Sequence, residues 1–460
     1  MSPRYATALT YARWMTPTSD LGSRAGRVST AAWGLSAAVV LVVLSMAVPA
    51  VTGWDVHVNS FPPLHAEWRP RVGPGTVPAL LVAAVLALWA VDLADRLSWG
   101  RLLVATSLAG LAWMLVLAFV DGSAGVSELL EDRYEYLRTA RATTDLQATL
   151  QAYVGRIPYS AYPRNWPVHV AGHPPGALLF FVVLVRLGLG SGLAAGLVVT
   201  IIAATTAVAV MVTVRTLGAE LMARRAAPFV ALGPAAVWQS VSADAVFAAV
   251  AAWGIACLAA AATRRSVPWS ILAGLLLGYA VMMSYGLPLL GLLAIAVLVA
   301  ARSWLPLPVA AAAALAVVLT FAVSGFSYLE ALPAIRERYW EAVGGRRPEA
   351  YWLWGNLGAL VVSAGPLAGA GIACLVVGVR QHLGDVQRRV VALLAGAGVA
   401  MVVLADLSLM SKAEVERIWL PFVPWLLLSC ALLPERWRRR GLVLQIVSAL
   451  VVQHLLLTGW

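Results

Sequence analysis

The chain has 460 residues, of which 61% are hydrophobic and only 12% charged, with a formal net charge of +11; soluble domains average about 45–50% apolar and about 25% charged. That balance excludes an ordinary soluble enzyme and points to a polytopic membrane protein, because apolar runs near the roughly 20-residue spanning length recur along almost the whole chain. The positive charge would suggest nucleic acid in a soluble protein; here it is read as the arginine bias of cytoplasmic loops, and no nucleic-acid partner is expected.

In chain order, residues 1–28 carry Arg4, Arg13, Arg24 and Arg27 ahead of an apolar run at 31–52. That run is longer than the about 7–15 residues of a signal peptide. A retained first helix behind a cytoplasmic tail, residues 1–30, is therefore expected. Further spans are predicted near 77–94, 102–120, 192–214, 227–240, 245–263, 268–284, 287–301, 306–325, 356–379, 390–408, 418–433 and 441–459. Residues 31–460 thus read as one all-α membrane module of about thirteen transmembrane helices. Cys257, Cys374 and Cys430 fall in apolar runs, with neither metal-site spacing nor a disulfide framework.

The run at 175–189 stands apart. Basic residues cluster at Arg96 with Arg101, at Arg215 with Arg224 and Arg225, at Arg264 with Arg265, at Arg380 with Arg388 and Arg389, and in RWRRR at 436–440. The positive-inside rule asks for all of them on the cytoplasmic side. If 175–189 crossed, every later cluster would change sides. HPPG at 173–176 is therefore expected to open a re-entrant or surface-lying helix. Pro174 and Pro175 suit a first helical turn, where a missing N–H costs nothing. The external face then carries the long loop 121–190, the loop 326–355 and the hinge 409–417, and long loops are commonly functional. Aromatics crowd these loops, as they also crowd membrane interfaces.

Four stretches could carry chemistry. In ELLEDRYEYLRTA, at 128–140, helical spacing would place Glu128, Glu131, Asp132 and Glu135 on one face. Packed carboxylates resist joint ionisation, and one can serve as a base; a solvated helix neutralised by Arg133 and Arg138 is the plainer reading. His173 sits between Gly172 and Pro174, with His169 four residues earlier, in a setting suited to a phosphate or a metal. Asp244 borders a span, where acids are costly and often functional; it is equally suited to cap the helix starting at Ala245. SKAEVERIWLPFVPW, at 411–425, holds Lys412, Glu414, Glu416 and Arg417. Arg417 is expected to pair with Glu414 or Glu416, or to hold a phosphate, whose oxygens match the guanidinium fork. Asp55 and Asp406 are weaker candidates on the same face.

EDRYEYLRTA at 131–140, GRIPYSAYP at 155–163, GHPPGALLFF at 172–181 and ERIWLPFVP at 416–424, in that order, resemble the GT-C superfamily of polyprenyl-phosphate-sugar-dependent membrane glycosyltransferases. Within it the chain looks most like actinobacterial envelope mannosyl- and arabinofuranosyltransferases. The resemblance implies a GT-C-like fold in which Asp132 or Glu131, with Glu135 in the same stretch, supplies the catalytic base. It implies that His173, with His169 and Tyr134, lines the donor site, that Asp244 is a second external carboxylate, and that Arg417, beside Glu416 and Lys412, faces the lipid phosphate. The implied reaction is inverting: a carboxylate takes the proton from an acceptor hydroxyl, the oxygen attacks the anomeric carbon, and polyprenyl phosphate leaves. The implied partners are a polyprenyl-phosphate sugar donor, an envelope glycan or glycolipid acceptor and membrane lipids; a divalent cation is a possible cofactor. Two rival readings are a lipid or solute transporter and a non-catalytic envelope scaffold. The first needs ionisable groups deep within spans, where this chain is almost uniformly apolar.

Overall fold

The computed structural model describes residues 20–459, with side chains from residue 30 onward. Arg4 and Arg13 of the expected tail lie outside the described residues. Helix already begins at Asp20 and continues to Thr52, so the expected boundary at residue 30 falls inside it. The described residues are helical apart from turns, loops and a two-stranded antiparallel ladder, Ala66–Trp68 against Leu456–Thr458.

Among the described residues, seven helices are long and apolar enough to cross a membrane: Thr30–Thr52, Thr76–Arg96, Trp99–Asp121, Gly192–Thr216, Ala243–Arg264, Pro306–Val323 and Val386–Leu407. An eighth span results if Glu349–Ala364 and Leu367–Val377, bent by 108° at their junction, count as one. The bend has a local cause. Gly365 has φ +85°, which only glycine adopts freely, and Pro366 follows it.

Length and composition thus support seven or eight of the roughly thirteen spans expected from apolar runs, and the shortfall lies in the shorter runs. Val267–Val281, Leu287–Ala301 and Val423–Leu432 are apolar but short. The run at 227–240 is broken: one helix stops at Ala231, Gly233 and Pro234 follow, and a single turn resumes at Ala236–Gln239. The run at 441–459 belongs to Glu435–Leu455, whose first turns carry Arg436, Arg438, Arg439 and Arg440.

Contacts between distant connectors define two ends of the bundle. At one end Arg224 donates to the carbonyls of Ala94 and Leu97, Arg225 to those of Ala431 and Leu433, and Arg438 to Asp95 at 2.8 Å. The Leu221 amide there meets Gln387. These bonds gather the basic connectors 92–101, 215–225, 385–389 and 431–440 into an arginine-rich end. At the opposite end Arg71 and Gln453 both donate to Asp121, and His454 meets Thr76. The most enclosed of the long helices is Ala243–Arg264, with 89% of its apolar window buried. Its alanines let neighbouring helices approach closely, as small residues do in membrane bundles.

The helix Pro175–Arg186 positions the site and is called the corner helix below. Its twelve residues span about 18 Å at 1.5 Å per residue, against a hydrocarbon core about 30 Å thick. Pro174 caps it and Pro175 opens it, as their fixed φ favours. Both of its ends lie against one segment. His173, just before it, meets Tyr136, and Gly190, just after it, accepts from Arg141 at 2.9 Å. Tyr279 donates to the Gly176 carbonyl at 2.9 Å. A Cβ on Gly176 would strike the Met282 carbonyl, so the helix sits hard against that neighbour.

Candidate functional site

The stretch 128–140 does not form one helix. A short 3-10 turn, Leu129–Glu131, stops at Asp132, whose ψ of 148° is extended, and helix resumes only at Tyr136–Ala142. The Asp132 carboxylate causes the break locally by accepting the Tyr134 amide at 2.8 Å, a turn that competes with helix. The four carboxylates therefore part company instead of sharing a face. Asp132 is exposed. Glu131 is held in a two-pronged pair by Arg141, which keeps its carboxyl below the usual range. Only Glu135 turns inward.

Glu135 opens a chain of ionisable groups drawn from five separate segments. Its Oε1 accepts from His169 Nδ1 at 2.8 Å. The other ring nitrogen, Nε2, faces Arg417 Nη2 at 3.3 Å. A guanidinium can only donate, so Nε2 accepts and Nδ1 carries the hydrogen given to Glu135. Arg417 Nη1 donates to Asp244 Oδ2 at 3.0 Å. The other Asp244 oxygen lies 3.9 Å from His173 Nε2, and Tyr136 meets His173 Nδ1 at 2.5 Å. Nδ1 of His173 also faces the His169 carbonyl at 3.1 Å, and the Tyr136 hydroxyl donates to that carbonyl at 3.3 Å. On the far side of Arg417, Glu414 stands at 3.7 Å and is in turn bonded by Arg347 at 3.3 Å.

Burial sets the charges. The side chains of Arg417 and Asp244 are 5% and 3% exposed, far too little for water to screen them. Burial alone would lower the Arg417 guanidinium, yet Asp244, Glu135 and Glu414 together hold it above its usual value. Burial would likewise raise Glu135, but His169 and Arg417 outweigh it and keep the carboxyl low. Glu414 is held low against burial by Arg347 and Arg417. For His173 burial wins over the attraction of Asp244, and the imidazole falls below its ordinary value. Burial pushes Tyr136 well up, so it remains a donor.

Backbone strain flanks the central pair. Val241, just before the helix bearing Asp244, has φ +55°, and Ala413 and Glu414, just before Arg417, have φ +67° and +62°. Such conformations cost on the order of 1–3 kcal/mol each and persist where the surroundings over-determine them. Here Asn356 bridges Asp406 and the Ser411 carbonyl while accepting the Ala413 amide, which fixes the hinge.

The remaining predicted residues fall around this network. Tyr134 is exposed under Arg133, and its carbonyl accepts the His169 amide at 3.3 Å. Lys412 is buried beside the site in a clamp, donating to the Gly344 and Arg347 carbonyls and to Glu349. Glu416 is fully buried on the hinge. Asp244 does not cap its helix; that place belongs to Ser242, and Asp244 takes Arg417 instead. Of the pairings expected for Arg417, Glu414 is present but longer than the bond to Asp244. Two residues of the site were not singled out from the sequence, Tyr136 and Arg347. Tyr136 lay within a quoted motif, whereas nothing local marks Arg347. Among the described residues no three His, Cys, Asp or Glu are grouped so as to hold a metal ion.

The fold and this site define the class: an all-α protein with several membrane-spanning helices and a buried acid–imidazole–guanidinium network at one end. The chain matches no protein-family model and no curated protein.

Proposed function

We propose that the chain is a GT-C-type glycosyltransferase that moves a sugar from a polyprenyl-phosphate donor to an envelope glycan or glycolipid on the outer face of the plasma membrane. One observation carries the reading. Oε1 of Glu135 is held by His169, whereas Oε2 is buried with no hydrogen-bond partner. A buried acceptor of this kind is uncommon unless a function uses it. An acceptor hydroxyl placed there gives up its proton to Glu135, and its oxygen attacks the anomeric carbon as polyprenyl phosphate leaves. Arg417 supplies pre-set positive charge for the departing phosphate, with the His169 and His173 rings beside it, where such groups act most strongly because water is excluded. Asp244 orients Arg417.

Among the three carboxylates considered from the sequence, Glu135 is the base in this proposal, because Glu131 is committed to Arg141 and Asp132 lies outside the network. The arginine-rich end is taken as cytoplasmic, with the N-terminus there, following the charge bias of membrane proteins. The corner helix is taken as re-entrant, and the short apolar segments as completing the roughly thirteen crossings. The module 31–460, with external loops 121–190 and 326–355, is the catalytic unit.

The test is a pair of variants in a deletion strain, Glu135→Gln and Asp132→Asn, scored by cell-envelope glycan profile at matched protein abundance. The proposal expects one glycan to vanish with Glu135→Gln and to persist with Asp132→Asn. Unchanged glycans in Glu135→Gln overturn it and leave the scaffold reading.

A further inference from the structure

The arginine-rich end carries a feature unconnected to the network. Thr76–Arg96, Trp99–Ala118 and Glu220–Ala231 form between them a groove of about 60 Å³, open on one side. Its wall is almost wholly apolar, and alanines at positions 90, 94, 105, 109, 227 and 231 create the space by being small. Along the first two helices the groove runs from Leu93 to Leu86 and from Leu102 to Ala109. Seven residues of helix amount to about 10 Å, within the roughly 15 Å of one leaflet of a 30 Å hydrocarbon core.

The mouth of the groove is polar and rigid. Arg224 clamps the Ala94 and Leu97 carbonyls at 3.0 and 2.8 Å and also binds Glu220. Trp99 sits beside the mouth with the Arg215 and Arg224 guanidinium groups over its ring, 4.6 and 5.8 Å from the centroid. An indole there marks the headgroup level, where such amphipathic rings settle. Arg96 follows Ala94 by two residues, and Arg101 immediately precedes Leu102, so both stand at the same level as Trp99. Both are exposed. Their neighbours Arg215 and Arg224 share Glu220, and Arg438 and Arg439 take Asp95 and Asp92. Among the described residues, neither Arg96 nor Arg101 has an acidic partner of this kind.

We propose that this groove is a binding site for a glycerophospholipid with a net-negative headgroup. One acyl chain lies along the alanine-lined wall, and the headgroup phosphate is met by Arg96 and Arg101. Charge decides the occupant: a zwitterionic lipid fills the same groove but gains nothing net from two unmatched cations. The depth fits too, since the groove begins just below the tryptophan that marks the headgroup level and ends within the same leaflet. The site is independent of the transferase reading, because it lies at the other end of the bundle from Glu135 and Arg417.

Native mass spectrometry of the purified full chain in detergent tests this, with phosphatidylglycerol and phosphatidylcholine of identical acyl chains as probes. One phosphatidylglycerol should bind in preference to phosphatidylcholine by on the order of tenfold, since a basic residue near an anionic headgroup is worth roughly fivefold. Arg96→Gln with Arg101→Gln, both exposed and so harmless to folding, should abolish the preference and leave phosphatidylcholine binding unchanged. Ala105→Leu fills the groove and should weaken both lipids at an unchanged melting temperature; Ala90→Leu serves the same purpose should Ala105→Leu misfold. Equal binding of the two lipids by the unaltered chain overturns the proposal. So does full phosphatidylglycerol binding in a folded groove-filled variant, or a dimer mass in place of a lipid adduct.

Discussion

Arg417 and Asp244 meet at 3.0 Å although 173 residues separate them, and both are almost completely buried. The pair ties the hinge before Val423–Leu432 to the first turn of the most enclosed helix. Asp244→Ala leaves the guanidinium without its shortest partner. Removing one member of a buried pair costs on the order of 3–5 kcal/mol, so a clear fall in melting temperature is expected in detergent. Arg417→Lys should not rescue the site, because one ammonium cannot face Asp244, His169 and Glu414 in the same plane. An unchanged melting temperature in Asp244→Ala would show that the pair is not what holds the hinge.

Tyr136 offers a gentler probe. Its ring is stacked on Phe181 with centroids 5.2 Å apart, while its hydroxyl serves His173. Tyr136→Phe keeps the stack and deletes only the hydroxyl. Leaving a buried polar group without its partner costs about 1–3 kcal/mol, so glycan formation should fall by roughly fivefold to a hundredfold while the chain remains folded. Normal glycan levels with the same substitution would separate His173 from the chemistry.

Stability should depend on acid in two stages. In the folded chain His173 holds its proton less tightly than the ordinary value of 6.5. The unfolded chain therefore binds the extra proton first, and the stabilisation from a neutral His173 is complete above about pH 6.5 and fades as the pH falls below it. Glu135 and Glu414 are also depressed, from 4.5, so their contribution is present above that value and is lost as the pH falls through their folded range. Melting temperature against pH should thus be level near neutrality, dip below 6.5 and drop again below 4.5. His65 is likewise lowered by burial, so His173→Gln should shrink the first step and spare the second; an undiminished first step in that variant would reassign it to His65.

The proposal that the corner helix does not cross makes a prediction about sidedness. All three native cysteines are buried, so single engineered cysteines report against a quiet background. An impermeant thiol reagent should label cysteine placed at Ala161 and at Gly190 from one side and cysteine placed at Arg96 from the other. Labelling of the first two from opposite sides would mean that Pro175–Arg186 crosses and that the network is not one site.

Much of this architecture was legible in apolar periodicity, which is why the long helices fall where continuous runs of suitable length stand. The short helix after HPPG was legible too, in a brief apolar run opened by a double proline. What the sequence concealed was of two kinds. Local hydrogen bonding overrode helical spacing at Asp132, where a side chain captured the Tyr134 amide and split a stretch that looks continuous. Pairing over long separations was invisible as well. Nothing near Arg417 announces that its best partner is Asp244, and the nearer Glu414 and Glu416 were the natural guesses. Arg347 escaped notice because its importance arises only once the loop 326–355 folds over the hinge and meets Glu414.

The corner helix leaves the network with two neighbours of opposite character. Val183 and Leu187 are exposed along the outer flank of the corner helix and at its end, while His173 at its start is enclosed among charges. The thickness of a single helix, about 10–12 Å, therefore separates greasy surface from ionic interior. A molecule with a long oily tail and a polar head would approach such a junction sideways, through the gap beside the helix, keeping its tail among lipids while its head reaches the charges.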